Sequence, residues 1–216
     1  MAPNFSDIDW EIERKKHADR FPGALYGEPS DVSQVTLAAL ESALQVGSEE
    51  AIQVAMTAHP YLLKYAMSKP GHHGTWAFPK QMIRPRGADG SSGMIPDFLV
   101  VTLNSLGYFW HVVELKRANV QFGNADGTGY STDAHSGLAQ CNGYLTHMQD
   151  YIDAVRANIR VPDLLQPEGA ILLIGDSTLE TPAQRECRMN FVRNNKRIDV
   201  VTYRRILGSL QSHLHT

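Results

Sequence analysis

The sequence predicts an α/β domain built around a mixed sheet, and three observations predict it. Two apolar, β-branched and aromatic runs, IPDFLVVTLN (95–104) and GYFWHVVELK (107–116), are separated only by Ser105 and Leu106, which reads as a hairpin and therefore an antiparallel pair. Beyond them, helical periodicity at 133–158 and 182–194 alternates with the short apolar runs ILLIG (171–175) and IDVVTY (198–203), the order that makes parallel crossovers. The 216 residues, 43% hydrophobic and 20% charged, suffice to bury such a core without disulfides or metals, and they exclude global disorder and a coiled coil.

Taken in order, residues 1–30 are charged and turn-rich (Pro22, Gly23, Gly27, Pro29) and read as an irregular arm with one short helix around 8–17. Asp31 is placed to cap a helix over 32–44, where Val35, Leu37, Ala38, Leu40 and Leu44 form one stripe, and Gly47 ends it. Ser48 caps a second helix, EEAIQVAMTA (49–58), whose acidic first turn suits the helix dipole. His59 and Pro60 interrupt it, and YLLKYAM (61–67) adds another apolar turn. A stretch rich in Gly, Pro, His and Ser (68–94) contains a short strand at 76–83 and precedes the hairpin. After a Gly/Asn/Asp loop at 119–131 comes one long helix, 133–158, with Leu138, Tyr144, Leu145, Met148, Ile152 and Val155 on one side. Pro162 and Pro167 bound a loop, and RRILGSLQSHL (204–214) closes the chain as a short helix. This divides the chain into an N-terminal arm with the first helix (1–45) and the main domain (46–216).

A net charge of −3 excludes a strongly basic nucleic-acid binder as a global description but leaves room for a local basic face. No apolar run approaches the ~18 residues that span a bilayer, so no membrane association is expected. The first residues lack the apolar stretch of a secretory signal. Cys141 and Cys187 stand in no metal or redox spacing, which together with the missing signal fits reduced thiols in a cytoplasmic protein.

The chemistry lies in the hairpin register. With the turn centred between Ser105 and Leu106, Asp97 faces Glu114, Leu99 faces Val112, Val101 faces Trp110 and Leu103 faces Tyr108. Strand alternation puts Lys116 on the face of Glu114. Directly opposed side chains have Cβ atoms ~4.5–5.5 Å apart, so two carboxylates meet on an otherwise apolar strand pair. They repel and lose hydration, and one ammonium leaves the group net negative. A divalent cation with oxygen ligands compensates, and Mg²⁺, which takes only one or two carboxylates and keeps several waters, suits this count. Such an ion polarises a phosphoryl oxygen and lowers the pKa of a bound water, while Lys116 orients that water or neutralises charge on the phosphorane. The bland alternative is a solvated Asp97 beside a surface Glu114–Lys116 pair.

Pro96-Asp97 followed by Glu114-Leu115-Lys116 resembles the signature of the PD-(D/E)XK nuclease superfamily, and the α-β-β-β-α-β order resembles its restriction-endonuclease-like core. More narrowly, AHPYLL (58–63), IPDFLVVTL (95–103), WHVVELKRANVQF (110–122), LAQCNGYL (138–145), RMNFVRNN (188–195) and IDVVTYRRIL (198–207) resemble the nuclease domain of Shedu anti-phage defence proteins. The resemblance implies a metal-dependent endonuclease acting on foreign DNA, with Mg²⁺ (or Mn²⁺) held by Asp97, Glu114 and the backbone carbonyl of Leu115. It implies Lys116 as the catalytic lysine, Gln140 near the active site with Tyr144 one turn on, and a homo-oligomer. It also implies an acid from the first helix, for which Glu49, Glu50 and Gln53 stand as candidates.

Lys80, Arg84, Arg86, Lys116 and Arg117 form a basic group around this site, with Arg84, Arg86 and Arg117 as the DNA contacts. A second group comprises Arg185, Arg188, Arg193, Lys196, Arg197, Arg204 and Arg205. The adjacent His72 and His73 lack a third metal ligand at useful spacing. Asp126-Gly127-Thr128-Gly129 reads as a turn, since the lysine and strand–loop–helix context of a phosphate loop are missing. The rival function is a non-catalytic nucleic-acid or protein interaction module on the same fold. RNA as substrate stays open, because no stacking platform or 2′-OH reader is recognisable.

Overall fold

The computed structural model describes residues 10–68, 74–87 and 93–215. Its centre is a six-stranded sheet whose spatial order follows the chain: β1 (Leu25–Gly27), β2 (Thr75–Pro79), β3 (Phe98–Asn104), β4 (Gly107–Leu115), β5 (Gly169–Leu173) and β6 (Ile198–Val201). The first four strands pair antiparallel, and β4–β5 and β5–β6 pair parallel, so the sheet is mixed as expected. β3 and β4 form a hairpin, and the parallel half needs the crossover helices. α4 (Thr132–Asp150) and α5 (Ile152–Ile159) make the first crossover, and α6 (Pro182–Asn194) makes the second.

Alternation along the strands feeds two apolar layers. Trp76, Phe78, Leu99, Val101, Trp110, Val112, Leu172 and Val200 point to one side and pack with residues of α4 and α5. Ala77, Phe98, Val100, Val113, Leu115, Ile171, Leu173 and Val201 point to the other side. There they meet α2 (Gln34–Val46), α3 (Glu49–Ala58), a 3-10 helix at Pro60–Ala66 and α7 (Tyr203–Leu214).

Several elements differ from the sequence expectation. The arm contains α1 (Trp10–Ala18) and also β1, and between them Phe21 inserts its ring against Trp76, Tyr108 and Trp110 at 5.2–5.5 Å. Residues 8 and 9 of the expected first helix lie outside the described residues. Ser33, not Asp31, caps α2, while Asp31 closes a short turn and pairs with Arg14 at 2.6 Å. The expected long helix is two helices. Tyr151 leaves helical geometry at φ −132° and ψ 33° and lays its ring on His147, 4.8 Å between centroids. Apolar spacing runs on through the break, because Val155 and Ile159 still reach the core. Finally, the last strand stops at Val201, and Tyr203 opens α7.

His111 gives the fold a pH dependence. It is partly buried on β4. Burial lowers its pKa below the ordinary 6.5, outweighing the nearby charges of Glu168 and Asp199. A histidine depressed in the fold resists protonation, so stability is complete above about 6.5 and is lost as the pH falls from there through the folded value. Denaturant unfolding from pH 7.5 to 5 is expected to show this decline, and His111→Val is expected to flatten it. An unchanged slope in the variant would assign the decline to other groups.

Candidate active site

The hairpin register is the expected one: Phe98 pairs with Val113, Leu99 with Val112, Val101 with Trp110 and Leu103 with Tyr108. Continued one step, it sets Asp97 across from Glu114. Both are buried, as is Lys116, at 6%, 4% and 7% exposure. All three lie on the sheet face that carries Leu99, Trp110 and Val112, the face covered by α4.

Each charged group has a defined partner. Lys116 Nζ donates to Glu114 Oε1 at 2.9 Å, and the Tyr144 hydroxyl donates to Glu114 Oε2 at 3.1 Å. The Leu115 N–H donates to Asp97 Oδ2 at 2.6 Å, and Lys80 Nζ pairs with Asp97 Oδ1. Burial, and then the charge of Asp97, push the Glu114 carboxyl above the usual carboxylate range, against the pull of Lys116 and Tyr144. Burial also works against the Lys116 ammonium, but Glu114, with Glu49 and Asp97 behind it, leaves its pKa raised. Lys116 is therefore a fixed positive charge and proton donor near neutral pH, not a base.

The backbone around Lys116 is held by the neighbouring β5 and by the first residue of α7. Its N–H donates to the Leu173 carbonyl at 2.8 Å, and its own carbonyl accepts from the Tyr203 hydroxyl at 2.6 Å. Over the site, Gly137 lets α4 come close: a Cβ there would meet Leu172 Cδ1 at 2.6 Å and Lys116 Cε at 3.3 Å. One turn further, Gln140 has its Oε1 buried without a hydrogen-bond partner among the described residues, on the helix that supplies Tyr144. Of the first-helix candidates, Glu49 has its charge within reach of Lys116 and Tyr203, whereas Glu50 is exposed.

The donors suit a hard divalent cation in kind. Asp97 and Glu114 supply carboxylate oxygens. The same register puts Pro96 opposite Leu115, whose N–H is already turned toward Asp97. Because proline has no N–H, the Leu115 carbonyl on that side lacks its ladder donor. Among the described residues no group of three or more His, Cys, Asp or Glu surrounds one point, so carbonyl and water oxygens would complete the shell.

The expected DNA contacts are spread more widely. Arg117 pairs with Asp133 at 3.3 Å, with about half of its side chain exposed. Arg86 is exposed, and Arg84 is partly buried in a bridge to Met94, with its charge felt by His147 of α4. In the second basic group, Arg188 is locked to Glu180 at 2.6 and 2.8 Å, while Arg185 and Arg205 donate to the carbonyls of Ser177 and Met67. His72 and His73 lie outside the described residues. Sequence reasoning did not find the roles of Lys80, Gly137 and Tyr203. The signal for Gly137 was a glycine inside a helical pattern, where it costs ~1 kcal/mol against alanine. No protein-family model matches the chain, and no curated protein matches it. Among the described residues, no helix is long and apolar enough to cross a membrane.

Proposed function

We propose that the chain is a divalent-cation-dependent endonuclease that hydrolyses DNA phosphodiesters, in the setting of anti-phage defence that its resemblance to Shedu nuclease domains implies. One observation carries the reading: two buried carboxylates of opposed strands, Asp97 and Glu114, share a sheet face with a buried lysine held at 2.9 Å from one of them. Each acid is paired with one lysine, Glu114 with the buried Lys116 and Asp97 with the half-exposed Lys80, and buried pairs of this kind recover little of their desolvation cost. Two carboxylates buried side by side offer the hard oxygen ligands that a divalent cation takes.

Asp97, Glu114 and the Leu115 carbonyl would hold Mg²⁺ or Mn²⁺, with Glu49 of α3 adding negative charge from outside the ligand shell. Such an ion, when bound, polarises a phosphoryl oxygen and acidifies a water. Lys116, protonated and pinned at its backbone, offers charge to the oxygens of the phosphorane without having to reorganise. Tyr144 fixes the rotamer of Glu114. The unpartnered Gln140 Oε1 is an acceptor that can orient a water's proton. Arg84, Arg86 and Arg117 add sequence-independent attraction to the phosphate backbone. Cutting both strands would favour at least a dimer, since one site meets one strand at a time.

The test is incubation of the full chain with supercoiled plasmid in Mg²⁺, in Mn²⁺ and in chelator, with an RNA of similar length in parallel. Nicked or linear DNA is expected only where the cation is present. An inert chain that also shows no cation binding by calorimetry would remove the nuclease reading in favour of a non-catalytic module. Cleavage confined to RNA would change the substrate.

A further inference from the structure

Lys80 follows β2 and has φ +49°, in the left-handed region that non-glycine residues seldom enter. It is tied twice to one residue. Its N–H donates to the Asp97 carbonyl at 2.9 Å, and its ammonium pairs with Asp97 Oδ1. Its side chain is 51% exposed, whereas that of Asp97 is 8% exposed. A cation on a flexible stem thus reaches from solvent to a buried carboxylate.

The two oxygens of Asp97 are not equivalent. Oδ2 is held by the Leu115 N–H at 2.6 Å, a strand backbone group that cannot move away without opening the hairpin. Among the described residues Oδ1 is held only by Lys80, whose four-carbon stem can swing outward. Lys116 has no such freedom, being 9% exposed and bonded to Glu114. Any cation ligated by Asp97 therefore competes with Lys80 for the same oxygen, and two positive centres on one oxygen repel at short range.

We propose that Lys80 is an exchange residue. It neutralises Asp97 until a divalent cation takes Oδ1, and its released ammonium then faces outward as a contact for a substrate phosphate. The strained backbone serves this by fixing the Lys80 Cα beside Asp97 whichever partner the ammonium has. The inference rests on the nuclease reading above, because it takes Asp97 as a cation ligand.

The experiment titrates the full chain with Mn²⁺ by calorimetry in three forms: unmodified, Lys80→Asn and Lys80→Gly. Both replacements accept the left-handed backbone, so either one keeps the comparison valid if the other folds poorly. Each is expected to bind Mn²⁺ roughly fivefold more tightly, as removal of a half-exposed competing ion pair implies. In a Lys116→Met background saturated with Mn²⁺, where cleavage of duplex DNA is slow, Lys80→Asn is expected to reduce the salt dependence of DNA binding by about one phosphate contact, and Lys80→Arg to retain it. Equal Mn²⁺ affinity in all three forms would overturn the exchange. An unchanged salt slope would overturn the phosphate contact. No Mn²⁺ binding by any form would instead overturn the nuclease reading itself.

Discussion

Lys116→Met is expected to lower plasmid cleavage about 10³-fold, the scale of losing one preorganised charge at a developing anion, and to destabilise the fold by about 3 kcal/mol. The stability effect follows from what the ammonium leaves behind. Glu114 is already raised above the usual carboxylate range by burial and by Asp97, with Lys116 opposing that rise. Without Lys116 the carboxyl rises further and is held by the Tyr144 hydroxyl alone. A carboxyl raised in the fold contributes stability below its unfolded pKa and loses it as the pH rises through the folded one. The deficit of Lys116→Met should therefore be larger at pH 8 than at pH 5, shrinking as Glu114 takes up a proton. Denaturant midpoints of both proteins at the two pH values measure it. A deficit equal at both would mean that Lys116 matters through packing rather than through the charge of Glu114.

Gly175→Ala is expected to lower the melting temperature by about 10 °C. Gly175 lies just beyond β5 at φ +71°, and a Cβ there would stand 2.4 Å from the Val120 carbonyl oxygen. Forcing an L-residue into that conformation costs ~1–2 kcal/mol, and displacing a backbone group adds ~1–3 kcal/mol more. For a chain of this size each kcal/mol moves the transition by ~2–4 °C. Gly175 also joins two supports of the site: its N–H donates to the Arg117 carbonyl at 3.2 Å, and its carbonyl accepts from Tyr203 N–H at 3.0 Å. Tyr203 in turn holds the Lys116 carbonyl. Cleavage measured well below the transition should therefore fall too, because the lysine loses its backbone anchor. A variant with unchanged melting and activity would show that Val120 moves aside freely.

The hairpin was legible because a two-residue connection fixes its register, and alternation then assigns faces without further information. That is why the pairing of Leu99 with Val112 and the common face of Asp97, Glu114 and Lys116 follow from counting alone. Lys80 was visible only as one of several nearby cations. Its contact with Asp97 depends on β2 meeting β3 in a register where Pro79 faces Phe98, across a long loop that composition does not constrain. The choice among Glu49, Glu50 and Gln53 depends on how α3 is rotated against the sheet, which tertiary packing sets. Tyr151 was hidden because the core accepts the same apolar spacing from a broken helix as from a continuous one. Tyr203 continues the apolar run of IDVVTY, so it read as the end of a strand instead of the start of a helix.

β1 has a consequence beyond its three residues. By pairing with β2 through Leu25, Tyr26 and Gly27, it occupies the hydrogen-bonding groups of a strand that is apolar on both faces. A chain clipped before residue 28 would bare that rim as a template for another strand, and Phe21 would no longer shield the rings beside it. The foreseeable outcome is sticky, self-adhering protein, so the arm acts as a built-in guard against aggregation as well as a part of the fold.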